Sequence, residues 1–210
     1  MMRARLRAHT LLSPVPSQSH QRGKPATRRT LLSRRDTIPS GEHARASACA
    51  ADAAAVIFAA RLAPDATIAL YAAKGSELDA ARIDAWARGA GIAIAYPRVV
   101  ADQRLLAFHL AAPDDLVATR LGLREPRADA PIVELADIDA FVVPGLAFDR
   151  GGGRIGWGRG HYDATLAAAP HALALALAFE LQLVEHVPRE PHDRLVDVIV
   201  TERATYWIAS

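Results

Sequence analysis

VVPGLAFDRGGGRIGWGRGHYD, residues Val142 to Asp163, holds seven glycines, at 145, 151, 152, 153, 156, 158 and 160. Arg154 and Arg159 stand among them, and Asp149 and Asp163 flank them. An apolar run, Phe141-Val142-Val143, leads in, and an apolar-spaced segment from Tyr162 to Ala169 follows. The pattern is a buried strand, a glycine-rich loop and a helix. Glycine has no Cβ, so such a loop lets bare backbone N–H groups approach an anion. The helix start adds unpaired N–H donors and partial positive charge. The arginines add paired donors for phosphate oxygens. The residues alone describe a polyphosphate cradle with an acid close enough to hold a divalent cation. The spacing is not a Walker A loop, because no Gly-x-x-x-x-Gly-Lys-Ser/Thr occurs, and Gly156-x-Gly158-x-Gly160 is not the dinucleotide fingerprint. Seven glycines cost much backbone entropy, so a plain surface loop is the weaker reading.

Working outward, the chain has 210 residues and 51% apolar content, enough for one packed α/β domain. No apolar run is long enough to span a bilayer. Cys49 is the single cysteine, so no internal disulfide forms and a reducing, cytoplasmic setting is expected. It lies in an alanine-rich segment and reads as a small core residue. Charge is uneven. Nine of the 25 basic residues fall in 1–35 with no acid, leaving 16 basic against 23 acidic in the rest. Residues 1–22 are therefore expected to be a flexible basic extension, or sequence upstream of the true start, with the domain at 23–210. The acidic body and the lack of a recognition motif argue against nucleic-acid binding.

Helices are expected from Lys24 to about Arg35, from a Ser40 cap to Leu62 before Pro64, over Asp79–Ala90 with Gly91 as stop, and over His161–Ala169. Strands are expected at Thr67–Tyr71, at Ile92–Tyr96 closed by Pro97, and at Leu105–Leu110. Others are expected at Ala140–Val143, Leu173–Phe179 and, last, Val196–Val200. Asp114–Ala118 reads as a helical turn. Alternation of strands and helices implies a single-domain three-layer α/β/α sandwich with a mostly parallel sheet. Ligands in such sheets sit at the carboxyl ends of strands, where the glycine loop falls.

Pro144-Gly-Leu-Ala-Phe-Asp149 followed by Gly153-Arg-Ile-Gly-Trp-Gly-Arg-Gly-His-Tyr-Asp163 closely resembles the signature of the 5-formyltetrahydrofolate cyclo-ligase family. Supporting stretches run in order from Lys24 to Glu202. They are Lys24-x-x-x-Arg28, Ser76-Glu-Leu-Asp79, Tyr96-Pro-Arg-Val99, Gly122-Leu-Arg-Glu-Pro126, Gln182-Leu-Val184, Val187-Pro188, His192-Asp193 and Val200-Thr-Glu202. The resemblance implies ATP-dependent cyclisation of 5-formyltetrahydrofolate to 5,10-methenyltetrahydrofolate through a phosphorylated formyl group, with ATP and Mg2+ bound. It implies nucleotide contacts from Lys24, Arg28, Arg154, Ile155, Gly156, Trp157, Gly158, Arg159, Gly160, His161 and Tyr162. Arg154, Arg159 and Tyr162 are the expected catalytic groups. Asp163 and Asp193 match the magnesium positions, and Glu77, Trp157 and Tyr162 the folate side.

On the residues alone, Lys24 and Arg28 share one helix face that could simply be solvated. Glu77 could cap a helix beside Ser76, Asp163 could complement a helix dipole, and Asp193 could be a loop acid. Phe108 could wall the pterin but reads first as a core aromatic, and Asp149 is a weaker metal candidate for which a loop-turning role serves equally well. The chain departs from the family pattern at His161 and Trp157, which replace tyrosines, and at Ala80, which replaces threonine. Those departures allow an alternative, a catalytically weak or inactive folate- or nucleotide-binding paralogue. An ATP-independent enzyme on a similar sheet is a further alternative, since fold does not set function. A monomer without a membrane partner is the default expectation.

Overall fold

The computed structural model describes residues 19–209 except Leu121, Pro191 and His192. Most of the basic extension expected at 1–22 lies outside the described residues. In chain order the elements are α1 (Ser19–Asp36), α2 (Ser40–Arg61), β1 (Thr67–Ala69), α3 (Ala81–Gly89), β2 (Ala93–Val99), β3 (Leu106–Leu110), β4 (Val117–Ala118), β5 (Arg124–Glu125) and β6 (Ile132–Val133). After these come β7 (Ala140–Val143), β8 (Ala147–Asp149), β9 (Arg154–Ile155), α4 (His161–Ala168), β10 (Leu173–Leu177), β11 (Leu183–Val184), β12 (Val198–Val200) and β13 (Thr205–Trp207).

The central sheet has the order β13-β12-β10-β7-β1-β2-β3-β6. Its middle, β12 through β2, is parallel, and β13, β3 and β6 add antiparallel edges. A second, three-stranded sheet (β11-β8-β9) carries the glycine hairpin. The middle strands are apolar throughout because both faces are covered. Side chains alternate by the period of two. Val142 packs in the cluster under α2 and α3, with Phe58, Ile68, Ile83 and Leu175. Phe141 and Val143 pack in the other, with Phe108, Phe148 and Leu166 of α4. The outer layers are α2 with α3 on one face, and α4 with the small sheet on the other. Phe108 is a core residue, edge-on to Phe141 at 5.5 Å between ring centroids.

Local signals explain most boundaries. Alanine makes α2 a strong helix former, and Leu62, held by its N–H on Phe58 O at 2.9 Å, ends the helix two residues before Pro64. Asp79 Oδ1 accepts the Ala81 N–H at 2.9 Å and starts α3. Gly91, at φ +78°, ends it, with Ile92 N–H on Ala87 O and Gly91 N–H on Arg88 O.

Several expectations are corrected. Ser40 is not the cap of α2. Pro39 holds that position and no side chain caps the helix. Cys49 is exposed, because Ala46, Ala50 and Ala54 take the inward face of α2. Pro97 does not close β2, which runs on to Val99. Leu70 N–H bonds Ala95 O, so the backbone of Ala95, and of Pro97 two residues on, faces the β1 side. There β1 has already ended, and the missing N–H costs nothing. The turn expected at Asp114–Ala118 is a short 3-10 turn, Pro113–Asp115, leading into β4. The strand at Val198–Val200 is followed by one more, β13. Among the described residues no helix is long and apolar enough to cross a membrane.

Candidate functional site

A cavity of about 490 Å3 opens at the carboxyl ends of β1, β2 and β7. The segment after β1 supplies Tyr71, Lys74 and Glu77. The end of β2 and the turn at β5 supply Pro97, Val99, Arg124 and Glu125. Pro144 follows β7, the stretch Arg154–Asp163 forms the long wall, and Glu190 and Asp193 close one end. Arg28 reaches in from α1.

The seven glycines divide into two sets. Gly156, Gly158 and Gly160 line the cavity. Gly158 and Gly160 have φ of +93° and +70°, a region that β-carbons disfavour. The others do structural work, which corrects the reading of one continuous cradle. A Cβ on Gly145 would enter the Phe148 ring, and one on Gly152 would lie 2.8 Å from Val196 O. Gly151 and Gly153 face Arg189. Asp149, 2% exposed, turns the hairpin between β8 and β9 by accepting the Gly151 and Gly153 N–H groups at 2.9 Å. It also accepts Val187 N–H at 2.8 Å and Arg189 Nη2 at 2.7 Å. Burial pushes this carboxyl up, but those donors outweigh it and hold the group below its ordinary value. Asp149 is thus an anchor of the loop and not one of the cavity groups.

Arg154 projects from β9 into the cavity wall with its side chain only 4% exposed. Its Nη2 donates to Asp163 Oδ1 at 2.5 Å, and its Nε–H has no partner among the described residues. Burial pulls the guanidinium below its ordinary value, against the pull of Asp163. Asp163 lies in the first turn of α4, where its charge also suits the helix dipole. The Tyr162 ring lies 5.8 Å from the Arg154 guanidinium carbon. Burial, and then the Glu77 carboxylate, push its phenol well above the ordinary value.

Arg28 Nε donates to Gly156 O at 2.9 Å and so ties α1 to the loop. Arg159 stands exposed on the cavity rim. His161 opens α4, with Nδ1 2.9 Å from Arg104 O. Ile155 is buried and lines the cavity, with its carbonyl on Leu146 N–H at 2.7 Å. Lys24 falls in α1, and its side chain is outside the described residues.

Glu77 is buried beside the cavity, and its Oε2 accepts Lys74 N–H at 2.9 Å. Its Oε1 accepts Trp157 Nε1–H at 3.1 Å, a bond that draws the loop to the opposite wall. Glu77 therefore caps no helix; the acid at the start of α3 is Asp79, on the Ala81 N–H. Ser76 holds the neighbouring segment to α1 by accepting from Arg35 Nε at 3.0 Å and donating to Asp36.

Asp163 and Asp193 both line the cavity, and Arg194 N–H reaches Asp163 Oδ1 at 3.4 Å. Asp193 Oδ2 accepts Glu190 N–H at 2.8 Å. No group of three or more His, Cys, Asp or Glu side chains could hold a metal among the described residues. Two carboxylates in a cavity also lined by Arg154 and three glycines nevertheless fit magnesium, which takes one or two carboxylates and completes its shell with phosphate oxygens and water. Tyr71, Lys74, Arg124, Glu125 and Glu190 line the cavity without having been assigned to it from the sequence. Tyr71 and the Arg124-Glu125 pair carried a usable signal, as polar groups just past a strand and in the Gly-x-x-Glu-Pro turn.

A sequence model of the 5-formyltetrahydrofolate cyclo-ligase family matches residues 20–202. A 5-formyltetrahydrofolate cyclo-ligase of Mycolicibacterium smegmatis is 40% identical over 93 residues, covering 43% of this chain and 48% of that protein. A mitochondrial one of Arabidopsis thaliana is 37% identical over 112 residues, 44% of this chain and 40% of that protein. The chain thus spans about half, or less, of these two relatives. The Escherichia coli K12 enzyme of that name is 30% identical over 140 residues, 64% of this chain and 77% of its own. The solved structure of a 5,10-methenyltetrahydrofolate synthetase from Aquifex aeolicus superposes with TM-score 0.75 at 26% identity, over 89% of this chain and 93% of that one. One from Mycoplasma pneumoniae has the same fold, with TM-score 0.70 at 21% identity over 85% and 98%. With the signature loop, the sheet and the cavity all in agreement, the chain belongs to the 5-formyltetrahydrofolate cyclo-ligase family.

Proposed function

We propose that this protein closes 5-formyltetrahydrofolate to 5,10-methenyltetrahydrofolate at the expense of ATP, releasing ADP and phosphate. The observation that carries the reading is Arg154, a buried guanidinium whose Nε–H lacks an acceptor, set in a wall of glycine backbone at the start of α4. A buried donor without a partner is costly, and a phosphoryl oxygen would satisfy it.

The formyl group is an amide, with a weakly electrophilic carbon and an oxygen that does not leave. Transfer of the γ-phosphoryl to that oxygen breaks the bond to ADP and forms a C–O–P link. N10 then adds to the formyl carbon and loses its proton to solvent, and the C–O bond breaks as phosphate departs. The protein's tasks are alignment and charge stabilisation. Backbone N–H groups of Gly156 to His161 and the Arg154 guanidinium receive the phosphoryl oxygens. Arg159 on the rim, and Arg28 behind the loop, add positive charge along the same wall. Magnesium, held by Asp163 and Asp193, would supply charge neutralisation on the phosphates. Tyr162, with its phenol pushed up, keeps its proton and serves as a hydrogen-bond donor rather than a base. Glu77 accepts N–H groups of the pterin, and the Trp157 ring walls it.

The test mixes the full chain with 5-formyltetrahydrofolate, ATP and magnesium and follows the near-ultraviolet absorption of the methenyl product. Growth of that band, dependent on both ATP and magnesium, is expected. Folate binding without it would contradict turnover and favour the non-catalytic paralogue.

A further inference from the structure

Asp163 and Asp193 lie on segments far apart in sequence, α4 and the stretch after β11. For both to face one cation, something must hold those segments in register. The Asp149 carboxylate does so at one point. From the hairpin it accepts Gly151 and Gly153 N–H, and from the Asp193 segment it accepts Val187 N–H and the Arg189 guanidinium. Arg189 lies flat on glycine backbone. A Cβ on Gly153 would come within 2.8 Å of Arg189 Nε, and one on Gly151 would strike its Nη2. The run Gly151-Gly152-Gly153 thus leaves room for this arginine. The next residue in the chain is Arg154, paired to Asp163 at 2.5 Å, and Asp163 in turn accepts Arg194 N–H. Glu190, next after Arg189, donates its N–H to Asp193 Oδ2, so these hydrogen bonds and the short chain links between them join Asp163, Arg154, Asp149, Arg189 and Asp193.

We infer that Arg189 is a positioning residue for the divalent cation. Its ion pair with Asp149 clamps the Asp193 segment against the glycine hairpin and so sets the spacing between the Asp193 and Asp163 carboxylates. The inference rests on the reading of those two carboxylates as the cation site. Arg189 does not line the cavity, and its side chain is 36% exposed, so it can be replaced without opening the core.

Mn2+ serves as the probe, titrated into the full chain with saturating ADP and followed by electron paramagnetic resonance. Arg189→Ala is expected to raise the Mn2+ dissociation constant roughly three- to tenfold, below the ~10–100-fold loss for a group bonded directly to a metal ligand. Metal-free ADP affinity should stay near wild type, the melting temperature should fall only slightly because Asp149 keeps its three backbone N–H donors, and Arg189→Lys should recover most of the loss. Gly151→Ala, which pushes Arg189 aside, should reproduce the defect, and the two changes together should fall short of their sum. Unchanged Mn2+ affinity in Arg189→Ala overturns the inference. So does a parallel fall in metal-free ADP affinity and melting temperature, which would make the clamp merely structural. If the wild-type chain takes up ADP but no Mn2+, the assignment of Asp163 and Asp193 fails, and the clamp with it.

Discussion

Under the proposed function the chemistry turns on Arg154 and Asp163, which form an ion pair. Arginine keeps its proton in proteins, so the buried guanidinium needs Asp163 as counter-ion while no phosphate is present. Arg154→Met is expected to lower kcat by roughly 10²–10³-fold, the scale of losing one transition-state donor. Steady-state rates of methenyl product formation check this. Asp163→Asn should lose magnesium-dependent turnover and also stability. The stability cost is about 1–2 kcal/mol, below the ~3–5 kcal/mol of a fully buried broken pair because part of Asp163 sees water. Urea unfolding measures it. Asp149 gives a pH signature. Its folded value lies below the ordinary 3.8, so its contribution is fully present above that value. That contribution is lost as pH falls through the lower folded value. Asp149→Asn should therefore be less stable than wild type at neutral pH, with the gap closing below about pH 4. Thermal melts across that range decide it.

The element that presents the site is α4, entered through Gly160 in the left-handed region at φ +70°. A Cβ there would meet nothing within 4 Å, so Gly160→Ala tests backbone conformation alone. It should cost about 1–2 kcal/mol of stability and weaken ATP binding several-fold, read by urea unfolding and calorimetry. Much at this scale was legible in the sequence. The run Ala140–Val143 is a strand with the expected ends, because its continuous apolar character records burial on both faces. The glycines before His161 marked a helix start at a cavity. Other features were not legible. Pro97 looked like a stop, since nothing local tells that its N faces past the end of β1. Ser40 looked like a cap, yet Pro39 occupies that position. Thr205–Trp207 is too short to register as a strand without its partner β12. Four of the seven glycines answer to Phe148, Arg189 and Val196, contacts made only after folding.

The whole molecule gathers segments from along the chain around one cavity, and α1 supplies one of them. Arg28 bonds Gly156 O, and Leu31 packs with Ala147, Ile155 and Val187 beneath the loop. The family match begins at residue 20. Deleting residues 1–18, which precede that match, should leave turnover within about twofold of the full chain and the melting temperature within about two degrees. Deletion through Asp36 removes Arg28 and Leu31 and should abolish both, as refolding yield and product absorbance would record. Under the proposed function the wall from Arg154 to Tyr162 receives the phosphates of a nucleotide. A crystal structure with ADP and magnesium is the decisive measurement. Phosphate oxygens are expected on the Gly156–Gly160 backbone and on Arg154 Nε, with the cation beside Asp163 and Asp193. Nucleotide bound elsewhere, with that wall bare, would contradict that reading.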